Sequence, residues 1–556
     1  MIIDARMVPA NETVETEVCV IGAGPAGITL AREFIGRDFR VCLLESGGEQ
    51  PDKDTQSLCA GEMDGALFQD LKESRYRQFG GTANKWHIQI TPNQIGGRCG
   101  PFEAIDFEQR DEVPYSGWPF GKAHLDPYYE RAQSICKLGP YVYDAKDWQG
   151  SEPLPMPLNG DRVKTSIYQF TPRAVFAEEY RDEINQADNI TTYLYANVVD
   201  IETNDALSQI TRVQVACLDG KRFSVTAKLF ILAAGGIENA RLMLLSNRSR
   251  QAAGLGNQND LVGRFFMDHP GVTYMFIPQD RNIFNSMSVY DMRQVNGISV
   301  KGKVILDEAV KRREKLLNSG ALIHPRPKGF RSEAISSLKV LMTSLRRGKL
   351  PKDTFRHLGT AIAGTDDIVR SAYNHLLKIK PIVPNDLEGG WFHLPNKEKM
   401  FASFQVSQMF EQSPDPANRV MLSDECDRLG VPKLKLRWGL NELDYFSIRR
   451  TKEIFQEEFL RLGLGRILVD WEDGVPFISA TTAHHHMGTT RMHTDPKQGV
   501  VDENSRVHGI SNLFVAGSSV FPTGGYINPT LTIIAMTVRL ADHVKQVMVS
   551  SAAKVV

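Results

Sequence analysis

Apolar runs that end in glycine or an acidic residue alternate with segments of helical periodicity. Residues 17–22, EVCVIG, are short, apolar and β-branched, as a buried strand is, and residues 28–35, ITLAREFI, carry apolar residues at helical spacing. Further apolar runs lie at residues 40–45, 229–233 and 513–517. Strands and helices that alternate in this way predict an α/β fold with a Rossmann-like domain assembled from distant parts of the chain.

The last apolar run is followed by a loop of Gly, Ser and Pro residues and then by a helical segment, Asn528–Val544. Four apolar residues in this segment have the spacing of a buried helix face, namely Leu531, Ile534, Ala535 and Val538. Asn528 is a typical N-cap residue and Pro529 a typical first helical residue. The N-terminus of such a helix can stabilise negative charge on a cofactor.

Motifs are sparse between residues 275 and 480. Residues 331–380 are mostly helical in pattern, and their first half is basic and amphipathic. We expect a solvated helical insertion over the active site, while contact with a membrane surface or a partner protein is also compatible with the pattern. Residues 391–423 read partly as strands around turns, which predicts a second, α+β domain built on a mostly antiparallel sheet.

Composition narrows the class of protein without identifying a function. The 556 residues are 42% hydrophobic, and the formal net charge of -1 provides no global field toward nucleic acid or anionic membranes. The seven cysteines are scattered and contain no C-x-x-C pair, which favours a reducing compartment over a disulfide framework or structural zinc. The N-terminus lacks the features of a secretory signal, and no apolar run approaches the ~20 residues of a membrane span. We therefore expect a soluble, cytoplasmic protein.

Three glycines follow the first predicted strand in G-x-G-x-x-G spacing. Gly22 permits a tight turn, Gly24 lets the backbone approach a pyrophosphate, and Gly27 lets the helix pack closely on the strand. The pyrophosphate would lie on helix N–H groups at the positive end of the helix dipole. Glu45 ends the second strand, where its carboxylate can accept hydrogen bonds from a ribose diol. Together these features predict a dinucleotide site.

Two later segments favour FAD over NAD as the dinucleotide. Tyr76–Trp86 is a polar, glycine-containing loop suited to close approach along a long cofactor, and its candidate contacts are Arg77, Gly80, Gly81, Thr82 and Asn84. For Arg77, an exposed surface charge is an equally compatible interpretation. The second strand–glycine–helix unit, which begins at residue 229, makes the binding domain discontinuous in sequence. Since an NAD domain usually closes within a compact stretch, this spread predicts a large flavin embedded in the protein.

Three consecutive histidines, His484, His485 and His486, begin the segment HHHMGTTRM. A metal site is disfavoured, because consecutive residues point in different directions and metal ligands on regular elements favour spacings such as i, i+4. The remaining interpretations are a structural role and a role in handling protons beside the flavin. We expect no metal in this protein.

Six segments of the chain resemble, in the same order, those of the glucose–methanol–choline (GMC) oxidoreductases, a family of FAD enzymes that oxidise alcohols. They are VIGAGPAG with LLESG, FGGTANKW, LAAGGIENARLML, LVGRFFMDHP, EQSPDPANRVMLS, and the block from His484 to about Val544. Within the family, the last block is most similar to pyranose oxidases and related sugar or glycoside oxidases and dehydrogenases. The resemblance implies an FAD-binding domain of residues 1–130, 195–275 and 481–556, and a substrate-binding domain of residues 131–194 and 276–480.

The resemblance also implies roles for individual residues. His485 falls on the family's catalytic histidine and Asn528 on its asparagine, which face the flavin N5 across the substrate. Four further residues would contact the cofactor, Gly517, Ser518, Pro529 and Thr530, and four are candidates for substrate contact, His484, His486, Trp391 and His393. For Trp391 and His393, which would form a sugar-stacking wall, ordinary core packing is the competing interpretation.

The implied reaction is oxidation of a secondary ring hydroxyl of a sugar or glycoside to the keto-sugar, with a histidine as general base and hydride transfer to flavin N5. The electron acceptor, oxygen or another oxidant, stays open. Oxidation of a non-sugar alcohol, or non-redox lyase chemistry on the same fold, is the alternative within the family. A metal-dependent hydrolase that uses the histidines is the alternative outside it.

Two departures from the family's pattern concern the cofactor. Pyranose oxidases attach the flavin through a histidine in a GG-x-S-T-H-W stretch, whereas Lys85 occupies that position here, so we expect non-covalent FAD. Ser518 stands where many related flavoproteins keep an acidic residue, which leaves any ribityl contact there open. Asp268 and His269, in FFMDHP, are expected to order a loop beside the cofactor domain rather than to act as a catalytic pair.

Overall fold

The secondary structure alternates strands and helices at both ends of the chain, as predicted. The computed structural model of the protein describes residues 1–65, 70–148, 156, 158, 161–327, 337–338, 341–342, 345, 354–365, 368–369, 372, 389–468, 471–472, 475–476, 478–479 and 483–553. The helices are α1 (Pro25–Glu33), α2 (Lys53–Ser57), α3 (Ala104–Phe107), α4 (Lys122–Ile135), α5 (Tyr180–Gln186), α6 (Gly235–Leu245), α7 (Glu308–Glu314), α8 (Thr354–Ala363), α9 (Lys397–Met400), α10 (Glu442–Arg461) and α11 (Thr530–Ala553).

The strands have the following bounds: β1 (Ile2–Asp4), β2 (Thr13–Glu15), β3 (Val18–Ile21), β4 (Val41–Leu44), β5 (Gly61–Asp64), β6 (Ile88–Thr91), β7 (Gln94–Cys99), β8 (Val163–Pro172), β9 (Ile190–Leu194), β10 (Asn197–Thr203), β11 (Ile210–Ala216), β12 (Arg222–Thr226), β13 (Leu229–Leu232), β14 (Gly271–Pro278), β15 (Arg293–Val295), β16 (Ile298–Leu306), β17 (Ser319–Pro327), β18 (Phe401–Phe410), β19 (Arg419–Cys426), β20 (Pro432–Arg437), β21 (Gly465–Leu468), β22 (Trp471–Glu472), β23 (Val475–Pro476), β24 (Ile478–Ser479) and β25 (Leu513–Val515).

Six strands form a parallel sheet in the order β1-β9-β4-β3-β13-β25. Ile21 lies opposite both Leu44 and Leu232, so the chain leaves β3, β4 and β13 at the same edge of the sheet. The three strands are fully buried, as their apolar runs predicted. The glycine turn after β3 and the residues that follow β4 and β13 therefore meet along one edge, where ligands bind in open α/β sheets.

A larger sheet runs in the order β21-β14-β18-β17-β16-β8-β7-β6, and neighbouring strands along it are antiparallel. Its two faces pack on different cores. On β16, Ile305 joins the core that contains the parallel sheet, whereas Val304 joins a second core with Phe455 and Phe459 of α10. The prediction of a Rossmann-like domain joined to a domain with a mostly antiparallel sheet is confirmed.

Strand pairing moves some segments across the predicted domain boundaries. β9 was placed in the substrate-binding domain and pairs with β1 and β4 of the parallel sheet. β6 and β7 were placed in the FAD-binding domain and belong to the antiparallel sheet through β8. The apolar pattern of a strand predicts that the strand is buried. It does not predict which other strand will pair with it, and this pairing decides the sheet to which the strand belongs.

Much of the predicted insertion at residues 331–380 lies outside the described residues. In the described part of this segment, α8 confirms the predicted helix. Its exposed surface, however, is partly apolar. Phe355, Leu358 and Ile362 lie on one face of α8 and are 91%, 43% and 69% exposed. In the described part of the chain, no helix is both long and apolar enough to cross a membrane.

Candidate active site

One elongated cavity of about 790 Å³ runs from the glycine turn after β3 to the histidine segment. Among its lining residues are Gly22, Gly24, Glu45, Arg77, Gly81 and Thr82 at one end, and His484, His485, His486, Gly517, Ser518, Asn528, Pro529 and Thr530 at the other. Most of the residues predicted for cofactor and catalysis therefore share one cavity, although they come from distant parts of the sequence.

The glycine turn is built so closely that side chains are excluded. Gly22 has a φ of 107°, and a Cβ there would lie 2.7 Å from the carbonyl oxygen of Ala233. A Cβ on Gly27 would lie 1.8 Å from the carbonyl oxygen of Gly22, so this glycine serves helix packing and does not line the cavity. α1 begins immediately after Gly24 without a side-chain cap. Its first N–H groups are thus suited to receive a pyrophosphate, and the turn fits an FAD.

Glu45 lies at the end of β4 with its carboxylate turned toward the glycine turn. It accepts hydrogen bonds from the N–H of Ala23 (2.9 Å) and of Gly47 (2.8 Å). Burial raises the pKa of this carboxyl, although these N–H groups oppose the shift. Glu45 lines the cavity, and it also holds the turn that precedes α1. Contact with a ribose stays a prediction.

Only some of the residues predicted as cofactor contacts in the loop Tyr76–Trp86 line the cavity. Gly81 and Thr82 line the cavity, and a Cβ on Gly81 would lie 2.9 Å from the Cα of Gly24. Gly80 and Asn84 do not line it, and their contact with the cofactor stays a prediction. The side-chain amide of Asn84 donates to the carbonyl oxygens of Phe79 and Gly81, so it shapes the loop.

Arg77 is not an exposed surface charge. Its guanidinium lines the cavity and contacts Glu238 at 3.0 Å, with 13% of the side chain exposed. Arg75 binds the other oxygen of the same carboxylate at 2.7 Å. Burial opposes the charge of Glu238, yet Arg77, Arg75 and Arg241 hold the pKa of this carboxyl well below its usual range. No sequence motif pointed to this buried cluster.

The His485 ring lies between the side chains of Asn528 and His269 and contacts both. Its Nε2 lies 3.0 Å from Nδ2 of Asn528, and its Nδ1 lies 2.9 Å from Nδ1 of His269. Burial is the main cause that lowers the pKa of His485 well below its ordinary value, and His269 and Arg98 add to it. The imidazole is consequently neutral at physiological pH and able to accept a proton.

The neighbouring histidines also line the cavity but make different contacts. His484 has a left-handed backbone (φ 58°), and its ring lies 6.4 Å from that of His486. The carbonyl oxygen of His486 accepts a hydrogen bond from the Ser518 hydroxyl (2.6 Å). A Cβ on Gly236 would lie 2.3 Å from that same oxygen, so α6 meets the histidine segment at a glycine. In the described ranges, no three His, Cys, Asp or Glu side chains are arranged as metal ligands.

Asp268 and His269 contact His485 directly, which was not predicted. Met267 and Met487 exchange two backbone hydrogen bonds of 3.0 Å, which bring FFMDHP against the histidine segment. The Asp268 carboxylate accepts from the backbone N–H of His485 (2.9 Å) and of His269 (2.7 Å). Asp268 does order a loop, but the loop carries His485, and the His269 ring touches the His485 ring directly. In the sequence, the only indication of this role was that an Asp-His pair directly follows an apolar run.

Asn528 does not cap α11. Its Nδ2 faces His485, and its Oδ1 is buried without a hydrogen-bond partner in the described structure. The carbonyl oxygen of Pro529 accepts from the N–H of Ile533 (2.8 Å), so Pro529 takes the N-cap position and Thr530 is the first helical residue. The predicted capping roles are therefore wrong by one residue, because the Asn528 side chain is turned into the cavity.

Comparison with known proteins agrees with this geometry. Residues 414–537 match the family model described as GMC oxidoreductase. The chain carries a domain of the GMC oxidoreductases. These are FAD-dependent enzymes that act on CH–OH groups, and the glycine turn, the cavity and the neutral histidine of this chain fit that cofactor and chemistry.

Two curated proteins and one solved structure are similar to this chain. It is 23% identical to the large subunit of fructose dehydrogenase from Gluconobacter japonicus, over 96% of this chain and 98% of that protein. It is 37% identical to a C-glycoside 3-oxidase from Microbacterium trichothecenolyticum, over 25% of this chain and 26% of that protein. A variant of the formate oxidase of Aspergillus oryzae RIB40 shares the fold, with a TM-score of 0.51 and 18% identity over 97% of this chain and 99% of that one.

The residues predicted to form a sugar-stacking wall do not lie at the cavity. Trp391 is buried in the second core, where its ring lies 6.4 Å from that of Phe404, and His393 is exposed. Neither residue lines the cavity. Trp391 follows the competing interpretation of ordinary core packing. Instead, Trp86 and Arg98, which were not predicted as contacts, line the cavity with His485.

Proposed function

We propose that this GMC oxidoreductase binds FAD without a covalent link and oxidises a secondary ring hydroxyl of a sugar or glycoside to a ketone, with His485 as general base. The observation that carries the proposal is the 3.0 Å approach of His485 Nε2 to Asn528 Nδ2, in the same cavity as the glycine turn. The names of two similar proteins, a fructose dehydrogenase and a C-glycoside 3-oxidase, support a sugar or glycoside as substrate.

Residues at both ends of the cavity would hold the cofactor. Gly22 and Gly24, with the N-terminus of α1, would bind the pyrophosphate, and Glu45 would accept from the ribose. Ser518 and Thr530 would contact the flavin end, beside Gly517 and Pro529. Lys85 lines the cavity and its ammonium donates to the carbonyl oxygen of Glu73, so no histidine is offered for a covalent link at that position. Bound FAD supplies the two-electron acceptor of the reaction.

The side chains supply the proton chemistry. A substrate hydroxyl that replaces the bond between His485 and Asn528 can donate its proton to Nε2 and accept a hydrogen bond from Nδ2. The O–H proton would go to His485, the C–H hydrogen would pass with its electron pair to bound FAD, and the carbon would become a ketone. Asn528 Oδ1, which is buried and has no hydrogen-bond partner among the described residues, can accept from a second hydroxyl of the substrate.

Anaerobic addition of sugars, glycosides and simple alcohols to the purified yellow protein tests this function. We expect sugars or glycosides to bleach the flavin absorbance, and NMR of the product to show a ketone at a ring carbon. Bleaching by simple alcohols alone would overturn the sugar assignment. A yellow protein that no alcohol bleaches would overturn the redox function and favour a lyase. Admission of air after bleaching then distinguishes oxygen from another acceptor.

A further inference from the structure

We propose that His269 is a positioning residue that fixes the tautomer of His485, leaving Nε2 of His485 unprotonated as the proton acceptor. The consequence for catalysis rests on the proposed function, but the tautomer itself is a property of the resting protein. Hydrogen-bonding groups form a continuous series from Gly524 to Asn528, and each contact decides which atom of the next group can carry a proton.

The first contact assigns the proton of His269. Its Nε2 lies 3.2 Å from the carbonyl oxygen of Gly524. A carbonyl oxygen only accepts, so Nε2 of His269 is the protonated nitrogen in this contact. The ring is fully buried, and burial lowers the pKa of His269 to about 4, so the imidazole is neutral and carries one proton. Its Nδ1 therefore has a lone pair and can only accept.

The second contact passes this assignment to His485. The two Nδ1 atoms lie 2.9 Å apart, and such a contact needs exactly one proton between them. Since Nδ1 of His269 accepts, the proton resides on Nδ1 of His485. The rings are nearly perpendicular, with an interplanar angle of 79° and centroids 5.0 Å apart, so they meet at their nitrogens without stacking.

The third contact, between His485 and Asn528, is consistent with a proton on Nδ1 of His485. With its proton on Nδ1, neutral His485 has a lone pair on Nε2, and this is the atom that faces the donating Nδ2 of Asn528 at 3.0 Å. A backbone carbonyl beside the helix thus determines, through one intervening ring, which nitrogen of His485 is basic. Asp268 secures the register, since its carboxylate binds the backbone N–H groups of both histidines.

Ring-nitrogen NMR of holoenzyme labelled with [15N]histidine tests the tautomer without turnover. The His485 signal is assigned by its loss in His485→Ala. In the wild type we expect a protonated Nδ1 and an unprotonated Nε2. His269→Leu removes the acceptor and should shift His485 toward the Nε2–H form. His269→Asn can present an amide oxygen near the Nδ1 position and should retain the Nδ1–H form.

A Nε2–H signal for His485 in the wild type would overturn the proposal, as would an unchanged tautomer in His269→Leu. Should His269→Leu not retain FAD, the wild-type and His269→Asn spectra still decide. His543→Leu removes an imidazole from α11, away from the cavity, and is the matched control, for which the His485 signal should not change.

The catalytic consequence is measured separately, by anaerobic stopped-flow reduction of the flavin. We expect His269→Leu to be about 10- to 100-fold slower than the wild type, a smaller loss than removal of the base itself, and His269→Asn to recover most of the rate. Equal rates in all three would overturn the positioning role. If no sugar or alcohol reduces the wild-type flavin, the proposed function fails, while the NMR result on the tautomer stands independently.

Discussion

Nε2 of His485 and Nδ2 of Asn528 lie 3.0 Å apart, although the two residues come from different segments on either side of β25. A single hydroxyl oxygen can reach both atoms, which makes this pair the place where an alcohol would be held. His485 is supported from behind by His269, and Asn528 by the turn that begins α11.

Replacement of the base should separate cofactor binding from catalysis. We expect His485→Ala to remain yellow, because the residues that would hold FAD are unchanged, and to lose about 10²- to 10⁴-fold in the rate of flavin reduction. Stopped-flow reduction with the best substrate measures this. A near-normal rate in His485→Ala would show that another group accepts the proton. His493→Ala, directly after the HHHMGTTRM segment and outside the cavity, is the control and should react normally.

Acid should destabilise the protein through His269. The fold lowers the pKa of this histidine to about 4, whereas an unfolded histidine titrates near 6.5. Between these values the unfolded chain binds the proton and the folded chain does not, so stability falls as pH decreases from about 6.5 to about 4. The loss amounts to roughly 3 kcal/mol for this residue once the pH is below both values.

Urea unfolding of wild type and His269→Asn at pH 7, 5 and 4 measures that loss. Both proteins should lose stability in acid, since the pKa values of His485 and His486 are also lowered by burial. The variant should lose less, by an amount that approaches the contribution of His269. Parallel loss in both proteins would mean that His269 is already charged in the native state.

The glycine turn should tolerate no side chain at Gly27. Its Cβ would lie 1.8 Å from a backbone carbonyl oxygen, which no rotamer change can relieve. We expect Gly27→Ala to be isolated without flavin or not to fold, as measured by the ratio of visible to ultraviolet absorbance. Gly359→Ala in α8 meets open space and should leave the flavin content unchanged. A yellow, active Gly27→Ala would contradict the close packing of α1 on β3.

Acid precipitation should release the cofactor completely. Because Lys85 replaces the histidine that links flavin in pyranose oxidases, we expect a colourless pellet and all FAD in the supernatant, identified by its mass. A yellow pellet would show a covalent link at another residue. In that case, peptide mass mapping would locate the link.

Much of the cofactor site was predictable because its signals are local. The turn at Gly22 and the acidic residue at the end of β4 depend on neighbours a few positions away, and so do the apolar runs of the parallel sheet. His485 and Asn528 were placed by resemblance to a family, and the structure brings them together in one cavity. Trp391 was misplaced, because an aromatic residue at a strand start fits a core as well as a pocket.

The sequence by itself determined the strand–glycine–helix units, the likeness to the GMC oxidoreductases and the type of chemistry that a buried histidine can perform. Only the tertiary structure decided that His269 touches His485, that Arg77 pairs with Glu238, and which sheet β9 joins. The physical reason is that these contacts join residues far apart in the chain. Periodicity and turn chemistry report on neighbours, whereas the partner of a buried polar group is chosen by the packing of whole elements.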